Sequence, residues 1–254
     1  MKLSCIYSKS HKSYNLFHTL NEKYKFYPAE EADAIICLGG DGFILYCMHR
    51  FLPLDKPLYG INCGNLGFLM NKLNLSQDLE DLVAKAVPLN INPLETNFEN
   101  IQGYINSGIA FNEISFLRCE SLAAHLRVKI DNKIRVDKLV ADGILVCTPT
   151  GSSAYNLACG GNVIQAASKL LVLTPISPFS PLGWKGTTLG DQHVFEIINL
   201  DPKKRKINMF CDFKEFRLIV RAEIKLCTSK KITLLFNQEE NLENKLLKSQ
   251  FSQY

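Results

Sequence analysis

Ile35-Ile36-Cys37-Leu38-Gly39-Gly40-Asp41-Gly42 is the stretch of sequence that decides the fold. Four apolar residues predict a short buried strand, and three glycines around one aspartate follow it directly. Glycine allows positive φ and lets a ligand approach bare peptide N–H groups, so this loop suits an anion such as phosphate, with a carboxylate inside the site. A tight strand-to-helix turn with Asp41 as the helix N-cap explains the tetrapeptide about equally well.

The residues around this stretch alternate between strand and helix patterns, which predicts an α/β domain with a parallel sheet. Ligands of such sheets bind at the carboxyl ends of the strands, where the Gly39–Gly42 loop is expected. The predicted elements are the strand Leu3–Tyr7, a helix around Tyr14–Tyr24, the strand Ala34–Leu38, the helix Phe43–Phe51, the strand Leu58–Asn62 and a helix that opens at Ser76 and ends near Pro88.

From about residue 90 the pattern changes to short strands, which predicts a β-rich second domain. The turn Asp131-Asn132 between two alternating apolar segments predicts a β-hairpin. Further predicted strands are Ile114–Leu117, Ile144–Cys147, Leu170–Leu173, Val194–Ile198, Phe216–Val220 and Ile232–Phe236. We therefore expect an α/β phosphate-binding domain at residues 1–90, a β-rich domain at residues 91–236 and a C-terminal amphipathic helix at residues 237–254, with Leu242, Leu246 and Phe251 on its apolar face.

Composition excludes several classes of function. The 254 residues are 46% hydrophobic and 21% charged, as in an ordinary globular enzyme, and the net charge of +4 is too small to indicate nucleic-acid binding. No segment approaches the roughly 18 apolar residues of a membrane span. The odd number of cysteines, nine, without a C-x-x-C pair favours reduced thiols and a cytoplasmic protein, and the scattered histidines indicate no metal held by the protein.

Three other segments carry polar residues suited to a ligand. Gly60–Leu69 is a strand followed by a glycine-rich turn, with Phe68 available to cover a ring, although alone it is more typical of a loop. Thr148–Tyr155 places hydroxyl groups and a glycine after a strand, as a purine or ribose pocket requires, whereas Ser152 or Ser153 taken singly could be a helix N-cap. Asn112-Glu113 offers an amide and a carboxylate to a ribose diol, or else forms an exposed edge pair.

The order and separations of four motifs resemble the NAD kinase family, in its compact bacterial form. The motifs are Gly39-Gly40-Asp41-Gly42, Gly64-Asn65-Leu66-Gly67-Phe68, Asn112-Glu113 and Thr148-Pro149-Thr150-Gly151-Ser152-Ser153-Ala154-Tyr155. The resemblance covers roughly residues 33 to 220 and implies a two-domain, NAD kinase-like fold. It also implies that ATP or polyphosphate, with Mg²⁺, phosphorylates the 2′-hydroxyl of the adenosine ribose of NAD to give NADP, without a tightly bound cofactor.

The resemblance assigns roles to individual residues. It makes Asp41 the catalytic base and Gly39, Gly40 and Gly42 the phosphate-binding residues. Asp142 matches a residue that reaches NAD across a subunit contact, which implies a homo-oligomer, either a tetramer or a dimer. The NAD-binding residues it implies are Asp41, Gly42, Phe68, Asn112, Glu113, Asp142, Thr150, Ser153, Ala154, Tyr155, Ala158 and Ser177.

The chain departs from the family pattern at three positions. Ser153 replaces the usual threonine and keeps the hydroxyl, Val140 replaces a frequent basic residue, and Phe213 follows Asp212 where many members have glycine. The role of Asp212 is therefore open.

Two alternative functions remain. A lipid kinase of the diacylglycerol or sphingosine type shares the G-G-D-G loop, but the polar Thr148–Tyr155 segment suits adenine, and no basic amphipathic helix for membrane docking is evident. A non-catalytic dinucleotide sensor would gain little from Asp41 among phosphates.

Overall fold

The structure is a computed structural model that describes residues 1–64, 67–74, 76–238 and 245. It divides the chain into two compact units. The first comprises Met1–Ile91 together with Ser229–Tyr254, and the second comprises Asn92–Thr228. The predicted C-terminal helix, with Leu242, Leu246 and Phe251, lies outside the described residues.

The first unit is an α/β unit built on a five-stranded sheet. Its elements are β1 (Leu3–Tyr7), α1 (His11–Asn21), β2 (Ala34–Gly39), α2 (Asp41–Phe51), a 3₁₀ turn (Leu52–Leu54), β3 (Leu58–Asn62), α3 (Leu79–Ala84), β4 (Val87–Ile91) and, from the far end of the chain, β17 (Ile232–Phe236). The strand order is β1-β2-β3-β17-β4. The pairs β1–β2, β2–β3 and β3–β17 are parallel, and β4 is antiparallel to β17. This confirms the predicted parallel sheet.

Local chemistry sets the ends of the first unit's helices. Helix α1 begins earlier than predicted because the Ser10 hydroxyl caps it, accepting a hydrogen bond from the Ser13 amide at 3.2 Å. Helix α3 begins at Leu79, after the N-cap Asp78, and ends before the predicted boundary. Pro88 instead lies within β4, which pairs only with β17 among the described strands and so forms an edge of the sheet. Proline has no N–H to donate, and an edge strand tolerates it because one side of the strand makes no ladder hydrogen bonds.

Strand β17 corrects the predicted distribution of strands. The sequence analysis placed Ile232–Phe236 in the β-rich domain, but the strand pairs with β3 and β4 in the first unit. An apolar strand pattern specifies burial and does not specify which sheet receives the strand. The chain therefore returns to its first unit after completing the second.

The second unit is a sandwich of two six-stranded antiparallel sheets. Its elements are β5 (Leu94–Asn100), β6 (Ile105–Ala110), β7 (Glu113–Arg118), β8 (Ala124–Ile130), β9 (Lys133–Ala141), β10 (Gly143–Cys147), a 3₁₀ turn (Thr150–Ser153), α4 (Tyr155–Ala158), β11 (Leu170–Ile176), β12 (Thr187–Gly190), β13 (Phe195–Asn199), β14 (Ile207–Cys211), β15 (Lys214–Phe216) and β16 (Ile219–Leu226). One sheet has the order β12-β11-β10-β7-β14-β15 and the other β6-β5-β16-β13-β8-β9. This confirms the predicted β-rich unit.

The inward-facing residues of both sheets form one hydrophobic core. In β8, buried Leu126 and Val128 alternate with partly exposed Arg127 and Lys129, as expected of a strand with one face on the core. The predicted hairpin at Asp131-Asn132 is present between β8 and β9.

One predicted strand of the second unit is wrong. The single strand Phe216–Val220 is divided between β15 and β16, because Leu218 takes a left-handed conformation with φ of 57°. Within the described residues, we find no helix with the length and apolar character needed to span a membrane.

Candidate active site

The G-G-D-G loop lies where β2 ends and α2 begins. Gly40 is the N-cap of α2, with φ of −123°, and Asp41 is the first residue of the helix. The alternative that makes Asp41 the N-cap is therefore wrong. Gly39, Gly40 and Gly42 are not among the residues with positive φ, so this loop does not use that freedom of glycine.

Steric space requires glycine at position 39 of this loop. A Cβ atom at Gly39 would lie 2.6 Å from Cδ1 and 2.7 Å from Cβ of Phe43, one turn along α2. At Gly40 and Gly42 an added Cβ would meet nothing within 4 Å. The backbone at these two positions is therefore open to a ligand, at the N-terminus of an 11-residue helix whose first N–H groups attract anions.

The Asp41 carboxylate is bound by the loop that follows β3. The Phe68 amide donates to Oδ2 at 2.8 Å, and the Leu69 amide donates to Oδ1 at 2.9 Å. Burial raises the pKa of Asp41 above its ordinary value, while the two amides and the Lys245 ammonium lower it. The structure thus brings together Asp41 and Phe68, two of the predicted site residues, through a main-chain contact.

The loop after β3 is anchored to the sheet next to Asp41. The Cys63 amide donates to the Gly39 carbonyl at 2.7 Å, and the Asn62 amide donates to the Asn71 carbonyl at 2.8 Å. Phe68 is half-buried. Asn65 and Leu66, which belong to the predicted motif, lie outside the described residues.

Asn112 and Glu113 lie at the start of β7 in the second unit. This strand pairs with β10 on one side and β14 on the other, so the predicted alternative of an exposed edge pair is wrong. Asn112 Oδ1 and Glu113 Oε2 are both buried and make no hydrogen bond with the described part of the chain. A buried polar atom without a partner is costly, so these two oxygens are positions where a water molecule or a ligand would be stabilised.

The electrostatic environment of Glu113 favours the neutral acid. Burial raises the pKa of Glu113 to about 8, and the negative charge of Asp212 contributes in the same direction. Cys147 is the cross-strand partner of Glu113 on β10, and Tyr155 and Cys159 of the α4 segment are also coupled to it electrostatically. A ligand that binds the ionised Glu113 carboxylate must therefore offset the free-energy cost of ionising a buried acid.

The predicted Thr148–Tyr155 segment forms a 3₁₀ turn followed by α4. The N-cap of α4 is Ala154, so neither Ser152 nor Ser153 caps that helix. The buried Ser152 hydroxyl donates to the Pro149 carbonyl at 2.7 Å and accepts from the Ile164 amide at 3.1 Å, which is a structural role. Ser153 is half-buried, and its side chain makes no hydrogen bond to the described residues. The α4 segment exposes Ala154 and Ala158 and leaves Tyr155 half-buried.

Thr150 contributes to the site through its hydroxyl, which donates to the Phe111 carbonyl at 3.2 Å. The Thr148 hydroxyl donates to the same carbonyl at 2.6 Å. The two threonines therefore hold the residue directly before Asn112. Their side chains are buried, and both hydroxyls stabilise this turn.

Asp142 lies between β9 and β10, where it forms an ion pair with Arg118. Arg118 Nε lies 2.5 Å from Asp142 Oδ1. The Asp142 amide donates to the Ile176 carbonyl at 3.0 Å, and Ser177, the next residue, is exposed in a left-handed conformation with φ of 47°. The structure thus places Asp142 beside Ser177.

Asp212 is the functional candidate that sequence reasoning left without a role. It follows β14 in a left-handed conformation with φ of 53°, and its carboxylate accepts hydrogen bonds from the amides of Phe111, Asn112 and Glu113. The preference of aspartate for turns was the available signal, but this preference indicates a local turn and gives no long-range partner.

Comparisons with known proteins agree on one family. The model of the ATP-NAD kinase N-terminal domain matches residues 2–87, and the model of the C-terminal domain matches residues 113–183. The chain is 40% identical over 253 residues to the NAD kinase of Rickettsia akari (strain Hartford), covering 98% of each chain. It is also 40% identical over 254 residues to the NAD kinase of Rickettsia prowazekii (strain Madrid E), covering 99% of this chain and 98% of that one.

Two solved structures share the fold. An NAD kinase from Archaeoglobus fulgidus in complex with ATP has a TM-score of 0.76 at 23% identity, covering 97% of each chain. Yeast NADH kinase complexed with NADH has a TM-score of 0.81 at 18% identity, covering 100% of this chain and 89% of that one.

The family models and the curated relatives define the class of protein as a nucleotide-dependent phosphotransferase. The sequence identity of 40% over nearly the whole chain identifies the particular family. The chain belongs to the NAD kinase family.

Proposed function

We propose that the chain transfers the terminal phosphoryl group of ATP, or of polyphosphate, to the 2′-hydroxyl of the adenosine ribose of NAD, giving NADP. Membership of the NAD kinase family supports this reaction over the phosphorylation of a lipid. The observation that carries the proposal is the Asp41 carboxylate, held at the open N-terminus of α2.

Asp41 accepts the proton of the ribose hydroxyl. Phe68 and Leu69 each occupy one carboxylate oxygen, but a carboxylate has about four lone-pair positions, so an acceptor position remains on each oxygen. The partners belong to a different loop, 27 and 28 residues away, and they orient the group for a hydroxyl. Burial raises the pKa of Asp41, which makes it a stronger base. A general base of this kind contributes roughly 10²–10⁴ to the rate.

The open backbone at Gly40 and Gly42 binds the phosphates of the donor, and Gly39 lets the helix start there. The α2 N–H groups stabilise negative charge as the bond between the transferred phosphorus and its leaving oxygen breaks and the bond to the ribose oxygen forms. ADP leaves, and the proton passes to Asp41. Mg²⁺ arrives with ATP as part of the substrate, and we assign it no ligands from the protein.

The second unit binds NAD. Asn112 Oδ1 and Glu113 Oε2 accept hydrogen bonds from the ribose hydroxyls, which supply partners that the described residues do not provide. The exposed α4 segment binds the adenine side through Ser153, Ala154, Tyr155 and Ala158, and Phe68, Asp142, Thr150 and Ser177 complete the predicted set. The role of Asp142 requires a homo-oligomer, a tetramer or a dimer, which light scattering of the purified protein tests directly.

The test is an assay with three acceptor and donor combinations. Purified protein receives Mg²⁺ and ATP with NAD, Mg²⁺ and polyphosphate with NAD, or Mg²⁺ and ATP with diacylglycerol vesicles, and NADP is measured with an NADP-specific dehydrogenase. We expect NADP with NAD as acceptor and no phosphorylated lipid. Lipid phosphorylation without NADP would establish the lipid kinase alternative, and NAD binding without any product would establish the sensor.

A further inference from the structure

The turn that carries Asn112 and Glu113 is held by a residue about 100 positions away. The Asp212 carboxylate accepts hydrogen bonds from three successive amides, those of Phe111 at 2.7 Å, Asn112 at 2.9 Å and Glu113 at 3.1 Å. In return, the Asp212 amide donates to the Glu113 carbonyl at 3.1 Å. One aspartate therefore fixes four main-chain groups of this turn.

The remaining main-chain groups of the turn are held from the β10 side. Thr148 and Thr150 donate to the Phe111 carbonyl, and the Thr148 amide donates to the Asn112 carbonyl at 2.9 Å. All six peptide N–H and C=O groups of Phe111–Glu113 thus have protein partners. The buried atoms of this turn that lack a partner among the described residues are side-chain oxygens, Asn112 Oδ1 and Glu113 Oε2.

We propose that Asp212 is a positioning residue for NAD: it fixes the Phe111–Glu113 turn so that the Asn112 and Glu113 side chains face the nucleotide. The inference rests on the proposed function of these two side chains. Bonds to a charged acceptor are about twice as strong as neutral ones, so a carboxylate bound by three amides makes this turn rigid before NAD arrives. Pre-organisation of this kind lowers the entropic cost of binding.

Asp212 also influences the protonation state of Glu113. The groups that face Glu113 are Asp212 beyond β14, Cys147 on β10, and Tyr155 and Cys159 at α4. Burial raises the pKa of the Cys147 and Cys159 thiols and of the Tyr155 hydroxyl, so these three groups are neutral at physiological pH. The Asp212 charge raises the pKa of Glu113 further than burial alone. If ribose hydroxyls bind the carboxylate form, NAD binding strengthens as pH rises towards the Glu113 pKa of about 8.

The experiment compares Asp212→Asn with Asp212→Glu. Asparagine keeps the shape of the side chain but loses the charge and part of the acceptor capacity. Glutamate keeps the charge but moves the carboxylate out of position for hydrogen bonds from the three amides. We measure kcat and the KM values for NAD and for ATP from about pH 6 to about pH 9, a range that brackets the Glu113 titration. Asp131→Asn is the matched control, because Asp131 also lies at a hairpin turn with positive φ and caps an amide, that of Val194.

For Asp212→Asn we expect KM for NAD to rise by about tenfold at about pH 9, where Glu113 is ionised in both proteins, as for the loss of one charged hydrogen bond, with kcat and KM for ATP little changed. The midpoint of the pH dependence of KM should move to lower pH. Asp212→Glu should raise KM for NAD and leave that midpoint in place, and it serves as the decisive variant should Asp212→Asn fail to fold. Asp131→Asn should match the wild type throughout.

Three outcomes distinguish a failure of the Asp212 inference from a failure of the proposed function on which it rests. Absence of NADP from the wild-type enzyme would overturn the proposed function itself. A Glu113→Gln variant with unchanged KM for NAD at every pH would overturn the binding role of Glu113. The inference is wrong, and Asp212 is a structural turn residue, if both of those roles hold but the Asp212 variants keep the wild-type KM and midpoint. The same conclusion follows if the variants lower kcat and raise the KM values for NAD and ATP alike.

Discussion

Gly151 lies directly against the Asn112 carbonyl. A Cβ atom at residue 151 would lie 2.2 Å from the Asn112 oxygen and 2.5 Å from its carbonyl carbon, so the 3₁₀ turn after β10 and the Asn112-Glu113 turn can pack together only if residue 151 is glycine. Because the contact is with backbone, no side-chain rotation relieves it. The turn that Asp212 holds from one side is therefore closely packed on the other.

Gly151→Ala should consequently weaken both folding and NAD binding. Overpacking against backbone costs about 1–3 kcal/mol, and the displaced Asn112 should raise KM for NAD. Urea unfolding and steady-state kinetics measure the two effects. Gly190→Ala is the control, since its Cβ would meet the end of the flexible Gln192 side chain, which can move. Equal stability of the two variants would contradict the packing argument.

Asp41→Asn should strongly reduce turnover and leave the fold intact. The amide cannot take the hydroxyl proton, so kcat should fall by roughly 10²–10⁴, while one oxygen still accepts from Phe68 or Leu69. The measurement is NADP formation together with thermal unfolding. Asp78→Asn is the matched control, because Asp78 also accepts two amide hydrogen bonds in the first unit, from Glu80 and Asp81, and should retain activity. Comparable rates for Asp41→Asn and the wild type would remove Asp41 from catalysis.

Two glycines of the same loop should respond in opposite ways to alanine. Gly39→Ala should destabilise the first unit, because its Cβ would overlap the Phe43 side chain. Gly40→Ala has open space around the added methyl group and should fold normally, yet the methyl would occupy the backbone surface proposed for phosphate and raise KM for ATP. Thermal unfolding and ATP kinetics distinguish the two. Normal ATP kinetics in a folded Gly40→Ala protein would place the phosphates elsewhere.

The sequence alone predicted the features that depend on local pattern. Strand β2 differs from its prediction by one residue, because a run of buried apolar residues ending in glycine leaves little freedom of assignment. The Asp131-Asn132 hairpin was predicted from the alternating apolar segments on either side of a two-residue turn. Both turn residues have positive φ, which Asp and Asn tolerate.

Features that depend on distant partners could not be predicted in this way. The role of Asp212 depends on amides 99 to 101 residues away, and the orientation of Asp41 depends on a loop 27 and 28 residues away. The sheet that receives β17 is likewise decided by tertiary pairing. Residue types and spacing report what a segment can do locally, whereas these contacts form only when the chain has folded.

The raised pKa of Glu113 predicts how stability varies with pH. Its pKa is about 8 in the folded protein against 4.5 ordinarily, so between these values the folded state binds more protons than the unfolded state. Unfolding then releases protons, and the free energy of unfolding must decrease as pH rises through this window. Without ligand, the wild type should therefore melt at a lower temperature at about pH 8 than at about pH 6.

Glu113→Gln should remove this part of the pH dependence, because glutamine is neutral at every pH and fits the same space. Its melting temperature should exceed that of the wild type at about pH 8 and approach it at about pH 5, near the ordinary glutamate pKa. Saturating NAD should flatten the trend in the wild type, because the complex holds Glu113 as the carboxylate, so the melting temperature gained with NAD grows as pH rises. Parallel melting curves for the two proteins at all pH values would show that Glu113 is ionised in the unliganded protein.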